Sequence, residues 1–166
     1  MRKAERKRYM KKLILILCVC SIMLSACTLG KPEYERSSKP GRLIPITLQT
    51  TLDRLEKKDT FVLLISQTTC GACKQLKEVL DLYLSEHEVM IYDLVLDQEV
   101  KSQEEFIEAQ SRLNTYMKSF EGTPAFYYIE EGRNVGEVIG YDNKRGITPY
   151  DNLVQKFQLD EVKSSS

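Results

Sequence analysis

Apolar positions along this chain recur in distinct rhythms, and each rhythm marks a different kind of segment. Residues 13–24 are apolar with one break at Ser21, a continuous run and not a period. Residues 28–45 carry no rhythm at all. From residue 46 onward, helix-period and strand-like stretches take turns. Leu48, Thr51, Leu52 and Leu55 fall at i, i+3, i+4 and i+7, with Thr47 placed to cap the first turn, so residues 47–58 predict an amphipathic helix. Residues 60–65 read TFVLLI, a short apolar run of strand formers. Leu76, Val79, Leu80, Tyr83 and Leu84 form a stripe that predicts a helix over 74–85. A second strand is predicted over 89–96 and a long helix over 101–120, with Phe106, Ile107, Leu113, Tyr116 and Met117 facing inward. Residues 125–129 and 135–139 read as strands joined by a hairpin turn through 130–134, and Leu153, Val154 and Phe157 mark a closing helix over 149–157. The order α-β-α-β-α-β-β-α implies a mixed sheet: crossovers make parallel neighbours, and the hairpin adds an antiparallel one.

The first forty-five residues read as address and tether. Residues 1–12 hold seven basic side chains against Glu5 alone. About a dozen apolar residues then follow, fewer than the roughly 17–25 that cross a bilayer, and Leu24-Ser25-Ala26-Cys27 ends the segment. A basic start, a short apolar run and small residues before a cut site describe an export signal. With Cys27 at its end, the segment resembles a bacterial lipoprotein signal. That resemblance implies a diacylglycerol on the Cys27 sulfur and cleavage just before it. The expected organisation is therefore a signal over 1–26, a flexible tether over 27–45, one domain over 46–160 and a frayed tail over 161–166. Gly30, Pro32, Ser37, Ser38, Pro40, Gly41 and Pro45 among charged residues give the tether its character.

Charge then narrows the function classes. The whole chain is formally neutral, but its basic excess lies in the signal, so residues 27–166 are acidic. There is no tryptophan and no basic stripe, so a nucleic-acid partner has no support. An acidic domain is mildly repelled by an anionic membrane, which leaves the lipid to hold it. One ordinary domain, expected to be a monomer, fits the length.

The chemistry concentrates at Cys70-Gly71-Ala72-Cys73, where the TFVLLI strand gives way through a polar turn to the next helix. Two cysteines three apart at a helix start lie one turn from each other, close enough for a disulfide. The first also faces unpaired N–H groups and the positive helix end, which favour thiolate. Cys18 and Cys20 leave with the signal and Cys27 is blocked by lipid, so Cys70 and Cys73 are the thiols of the mature chain. A two-residue gap closes too small a loop to stabilise much. The pair reads as chemical.

In this context the chain resembles the thioredoxin-fold proteins over residues 43–159. The resemblance rests on the strand preceding the cysteines, the C-x-x-C pair, the following parallel strand, Gly122-Thr123-Pro124-Ala125-Phe126 before a hairpin, and the glycine-containing turn EEGRNVGEV over 130–138. It implies an α/β fold with a four-stranded mixed sheet flanked by helices. It also implies Cys70 as attacking thiol, Cys73 as resolving thiol, Pro124 in cis, and a substrate segment paired against Thr123 and Pro124. No cofactor or metal is implied. The activity implied is thiol–disulfide exchange with exported cysteine-containing proteins or peptides, supported by a membrane redox partner, on the outer face of a bacterial cytoplasmic membrane. A lone lipid signal fits a Gram-positive surface, and small thioredoxin-like proteins linked to bacteriocin transport look similar. The family's tryptophan before the first cysteine is Thr69 here. Its buried acid, six residues before that cysteine, is Leu64, so Cys73 is expected to lack a nearby base and to be sluggish.

Other candidates carry plainer readings. His87, the one histidine, is expected in a solvated loop. A copper site would need an imidazole beside both sulfurs, and structural zinc needs four ligands. Asp93 and Asp97, around the second strand, are either active-site acids or solvated strand-end residues. Tyr127 and Tyr128 read as core and rim. The alternative function is a non-catalytic thioredoxin-fold module that binds a peptide or metal at the membrane surface.

Overall fold

The computed structural model describes residues 34–117 and 120–162. The chain divides into two units, Met1–Tyr34 and Glu35–Ser166, and the fold is that of the second. The expected export signal over 1–26, Cys27 and residues 163–166 lie outside the described residues, as do 118 and 119.

The elements run β1 Arg42–Pro45, α1 Leu48–Glu56, β2 Phe61–Ser66, α2 Gly71–Leu84, β3 Met90–Val95, α3 Leu96–Glu99, α4 Gln103–Met117, β4 Ala125–Glu130, β5 Arg133–Ile139 and α5 Thr148–Lys156. The sheet order is β1-β3-β2-β4-β5, with β1–β3 and β3–β2 parallel and β2–β4 and β4–β5 antiparallel. β2 lies at the centre with all six residues buried, which explains why its sequence is a continuous apolar run and not an alternation. Odd and even positions of β2 and β4 feed separate cores. Leu63, Ile65, Tyr127 and Ile129 pack with Leu52 and Leu55 of α1 and Leu113 and Met117 of α4. Val62, Leu64, Phe126 and Tyr128 pack with Leu76 and Leu80 of α2 and Tyr150 and Val154 of α5.

Local signals set several boundaries as expected. Thr47 caps α1, its Oγ1 accepting from the Thr50 N–H at 3.1 Å. Pro149 sits in the first turn of α5, where a missing N–H costs nothing. The hairpin turns on Glu131 and Gly132, both at positive φ (48° and 73°), the two-residue turn whose twist matches the strands. A side chain at position 132 would strike the Leu55 carbonyl.

Four expectations need correction. The sheet has five strands, not four, because Arg42–Pro45 inside the expected tether pairs with β3. This strand is four residues long and ends in proline, which suits only an edge, and its half-buried Leu43 and Ile44 are too short a signal to stand out. The tether also ends early, since Arg36 bridges Glu161 and the Ser37 N–H donates to the Asp160 carbonyl at 2.7 Å. That same contact orders the start of the expected tail, where the Val162 N–H donates to the Glu35 carbonyl at 3.0 Å. The long helix predicted over 101–120 is α4, and the separate short α3 ahead of it ends where Val100 is extended at φ −120° and ψ 141°. The inward stripe of α4 is Ala109, Leu113 and Met117 at i, i+4 and i+8. Ile107 falls about 200° from Ala109 at 3.6 residues per turn, and it is 55% exposed.

Candidate active site

β2 ends at Ser66, and the chain crosses a short turn before Cys70 opens α2. Cys70 is extended (φ −81°, ψ 112°) and serves as the helix N-cap, its Sγ accepting from the Cys73 N–H at 3.1 Å. The two sulfurs form a disulfide with the Cα atoms 5.2 Å apart. Cys70 is half-buried, whereas Cys73 is only 2% exposed. One sulfur faces solvent and the other is shielded behind it. That asymmetry suits an attacking thiol and a resolving thiol in the order expected.

The loop from Phe120 to β4 brings the other expected residues to the same place. The Thr123–Pro124 peptide is cis. The Thr123 carbonyl oxygen lies 3.5 Å from Cys70 Sγ, and the Thr123 hydroxyl donates to Gln67 Oε1 at 3.2 Å. Gln67 therefore ties the proline loop to the cysteine loop, a link that neither segment announces in sequence.

Asp97 supplies a second brace. Its carboxylate oxygens accept from the Thr68 N–H at 3.0 and 2.9 Å and from the Thr68 hydroxyl. Burial pushes against ionisation, but these Thr68 hydrogen bonds win and hold the Asp97 carboxyl below the usual carboxylate range. Asp97 thus fixes the turn that carries Cys70. Asp93 is no solvated strand-end acid either: it is 6% exposed and lies under α2. The sequence signal was available, since Asp93 shares the alternating positions of Val89 and Ile91, which face the α2 core.

The remaining candidates sit elsewhere. His87 is not in a solvated loop: its ring stacks on Tyr83 at 4.2 Å, and Nδ1 lies 3.1 Å from Asp160 Oδ2. The same buried carboxylate meets Arg36 Nε at 2.8 Å, and Arg36 also reaches Asp151 at 2.6 Å and the Tyr83 hydroxyl at 2.8 Å. This clasp stands at the end of α2 remote from the cysteines. Tyr127 and Tyr128 are both buried, at 0% and 9% exposure. No cluster of three or more metal-ligating side chains occurs among the described residues, and none of their helices is long and apolar enough to cross a membrane.

The central β2, the cysteine pair at the start of α2, the cis-proline loop and the terminal hairpin define a thioredoxin-like fold. A mutant thioredoxin from Halobacterium salinarum superposes with a TM-score of 0.50 at 17% identity, over 77% of this chain and 99% of its own. Thioredoxins from Schistosoma mansoni (TM-score 0.49, 20% identity, 70% and 99% coverage) and Aeropyrum pernix (0.47, 23%, 78% and 95%) are also similar. No family model matches the sequence. No curated protein matches it either.

Proposed function

We propose that this chain is an extracytoplasmic thiol–disulfide oxidoreductase, anchored by lipid on Cys27, that exchanges its Cys70–Cys73 disulfide or dithiol with exported cysteine-containing proteins or peptides. The observation that carries this reading is the pair itself: an outward Cys70 capping α2, a shielded Cys73 one turn on, and Thr123 against the first sulfur. In the reducing direction the Cys70 thiolate attacks a substrate disulfide, forming a mixed disulfide and releasing one substrate thiolate. Cys73 then attacks Cys70 Sγ, releasing the second substrate sulfur and leaving the Cys70–Cys73 disulfide. Oxidation of a substrate dithiol is the same sequence reversed. The Thr123–Pro124 loop flanks the sulfur where an extended substrate segment must lie. The basic and apolar residues before Leu24-Ser25-Ala26-Cys27 support export and anchoring. Two acyl chains on one cysteine meet the requirement for stable attachment.

The test is trapping in the membrane fraction of producing cells. Cys73→Ala is expected to accumulate mixed disulfides on Cys70, and Cys70→Ala to accumulate few. Equal trapping by both variants contradicts the assignment of roles.

A further inference from the structure

The end of the domain opposite the cysteines carries a hollow that the exchange chemistry does not use. β2 runs between the two places: Ser66 at its close leads to Cys70, and Phe61 and Val62 at its start floor the hollow. Tyr128 and Phe157 extend that floor beneath a cavity of about 490 Å³, which Met90 and Val162 also line. Met90 and Val162 are apolar side chains left 44% and 45% exposed. Charge sets the place apart as well. Residues 27–166 are acidic as a whole, but the hollow is lined by Lys39 and Arg54 against Glu88 and Glu161, so its charges cancel. The chain also arrives here. The Val162 N–H donates to the Glu35 carbonyl at 3.0 Å, and the Ser37 N–H to the Asp160 carbonyl at 2.7 Å. Cys27 precedes Glu35 by eight residues, which span at most about 29 Å when fully extended. The 14 residues of α2 hold Cys70 about 21 Å from the far end of that helix.

We propose that this hollow is the face on which the domain rests against the lipid bilayer. Met90 and Val162 enter the boundary between headgroups and acyl chains, and Cys70 is presented on the side away from it. The proposal rests on the lipid at Cys27 in the reading above, which keeps Glu35 within one short chain length of the membrane. A surface tethered so closely needs little affinity of its own, because its effective concentration at the bilayer is already high. Two exposed apolar side chains beside an apolar floor leave water on contact with lipid. The balanced charges spare this face the repulsion that the acidic domain meets at an anionic surface. Lys39 has a long apolar stem that can lie along the floor while its ammonium reaches lipid phosphates. The dithiol is thereby held off the membrane and open to exported proteins that approach from outside.

The chain contains no tryptophan, so a single introduced one reports its own surroundings. Lipidated protein carrying Met90→Trp, Val162→Trp or Ile107→Trp is reconstituted into vesicles of phosphatidylethanolamine and phosphatidylglycerol, with and without brominated phosphatidylcholine. Met90→Trp and Val162→Trp are expected to shift to the blue and lose about half their emission or more to the bromines, as side chains about 5–10 Å into the boundary do. Ile107→Trp, exposed on α4, is expected to show neither change. If the protein floats with the vesicles and Met90→Trp and Val162→Trp behave like Ile107→Trp, the surface is overturned and the anchor stands. Blue-shifted emission without quenching assigns the face to a second copy of the chain and overturns the proposal too. Protein that does not float overturns the anchor and the surface together. Thiol release from an aromatic disulfide by the same samples is expected to match the wild type in all three variants, which shows them folded. Absence of that release from the wild type overturns the oxidoreductase reading alone.

Discussion

The main-chain N–H of Cys73 donates to Sγ of Cys70 across 3.1 Å, so the first sulfur caps the helix that carries the second. Capping and nucleophilicity therefore reside in one atom, and substitution separates them. Cys70→Ser keeps an N-cap oxygen and loses the thiol, whereas Cys70→Ala loses both. Thermal or denaturant unfolding should show the alanine variant less stable than the serine variant by about 1 kcal/mol, with thiol exchange abolished in both.

Asp97 holds the turn before Cys70 through three hydrogen bonds from Thr68. Asp97→Ala should cost about 1 kcal/mol of stability and slow the first attack by Cys70 more than the second step. Stopped-flow thiol release with each step resolved gives both values.

Acid should loosen the fold from two places at once. The carboxyls of Asp97 and Asp151 both lie below their usual range: burial opposes this in each, and Thr68 outweighs it for Asp97, Arg36 and Tyr83 for Asp151. A depressed folded value means that the stabilisation is fully present above the unfolded value of about 3.9 and is lost as pH falls through the folded one. Melting curves should be flat in this contribution from neutral pH to about pH 5 and drop below about pH 4. Arg36→Met should remove the Asp151 share of that drop.

Arg36→Met should also show how the N-terminal segment is held. Asp160, with a side-chain exposure of 0%, loses its Arg36 contact and keeps His87. A stability loss of about 1–3 kcal/mol is expected, with the reduction potential of the cysteine pair unchanged, because the clasp lies at the far end of α2. A shifted potential argues against that independence.

Tyr127 offers the opposite case. Its buried hydroxyl has no hydrogen-bond partner among the described residues, and burial, with Glu137 adding to it, pushes the phenol up. Tyr127→Phe should be neutral or stabilising by about 1 kcal/mol in denaturant unfolding.

The sequence made the central strand, the cysteine helix and the hairpin legible because each depends on local pattern: an apolar run, a 3.6-residue stripe, a positive-φ turn. It hid β1, whose four residues gain their strand character from pairing with Met90–Asp93 and not from their own composition. In the site, Cys70, Cys73, Thr123 and Pro124 could be named from spacing and resemblance. Gln67, Thr68, Asp97 and the Asp93–Lys77–Ser66 cluster depend on contacts between segments 27 to 56 residues apart, with Lys77 reaching Asp93 from 16 residues away. Asp93 and Asp97 were legible as candidate acids around the second strand, and Asp93 also as an acid at an inward strand position.

The central claim is that Cys70 and Cys73 form a working dithiol–disulfide couple. The most direct test is its reduction potential, read by thiol alkylation of the protein equilibrated across a dithiol/disulfide series. A single two-electron transition with a midpoint between about −120 and −270 mV, the span of known exchange proteins, is the expected result. A protein in which the two thiols never form an intramolecular disulfide at any potential contradicts the account.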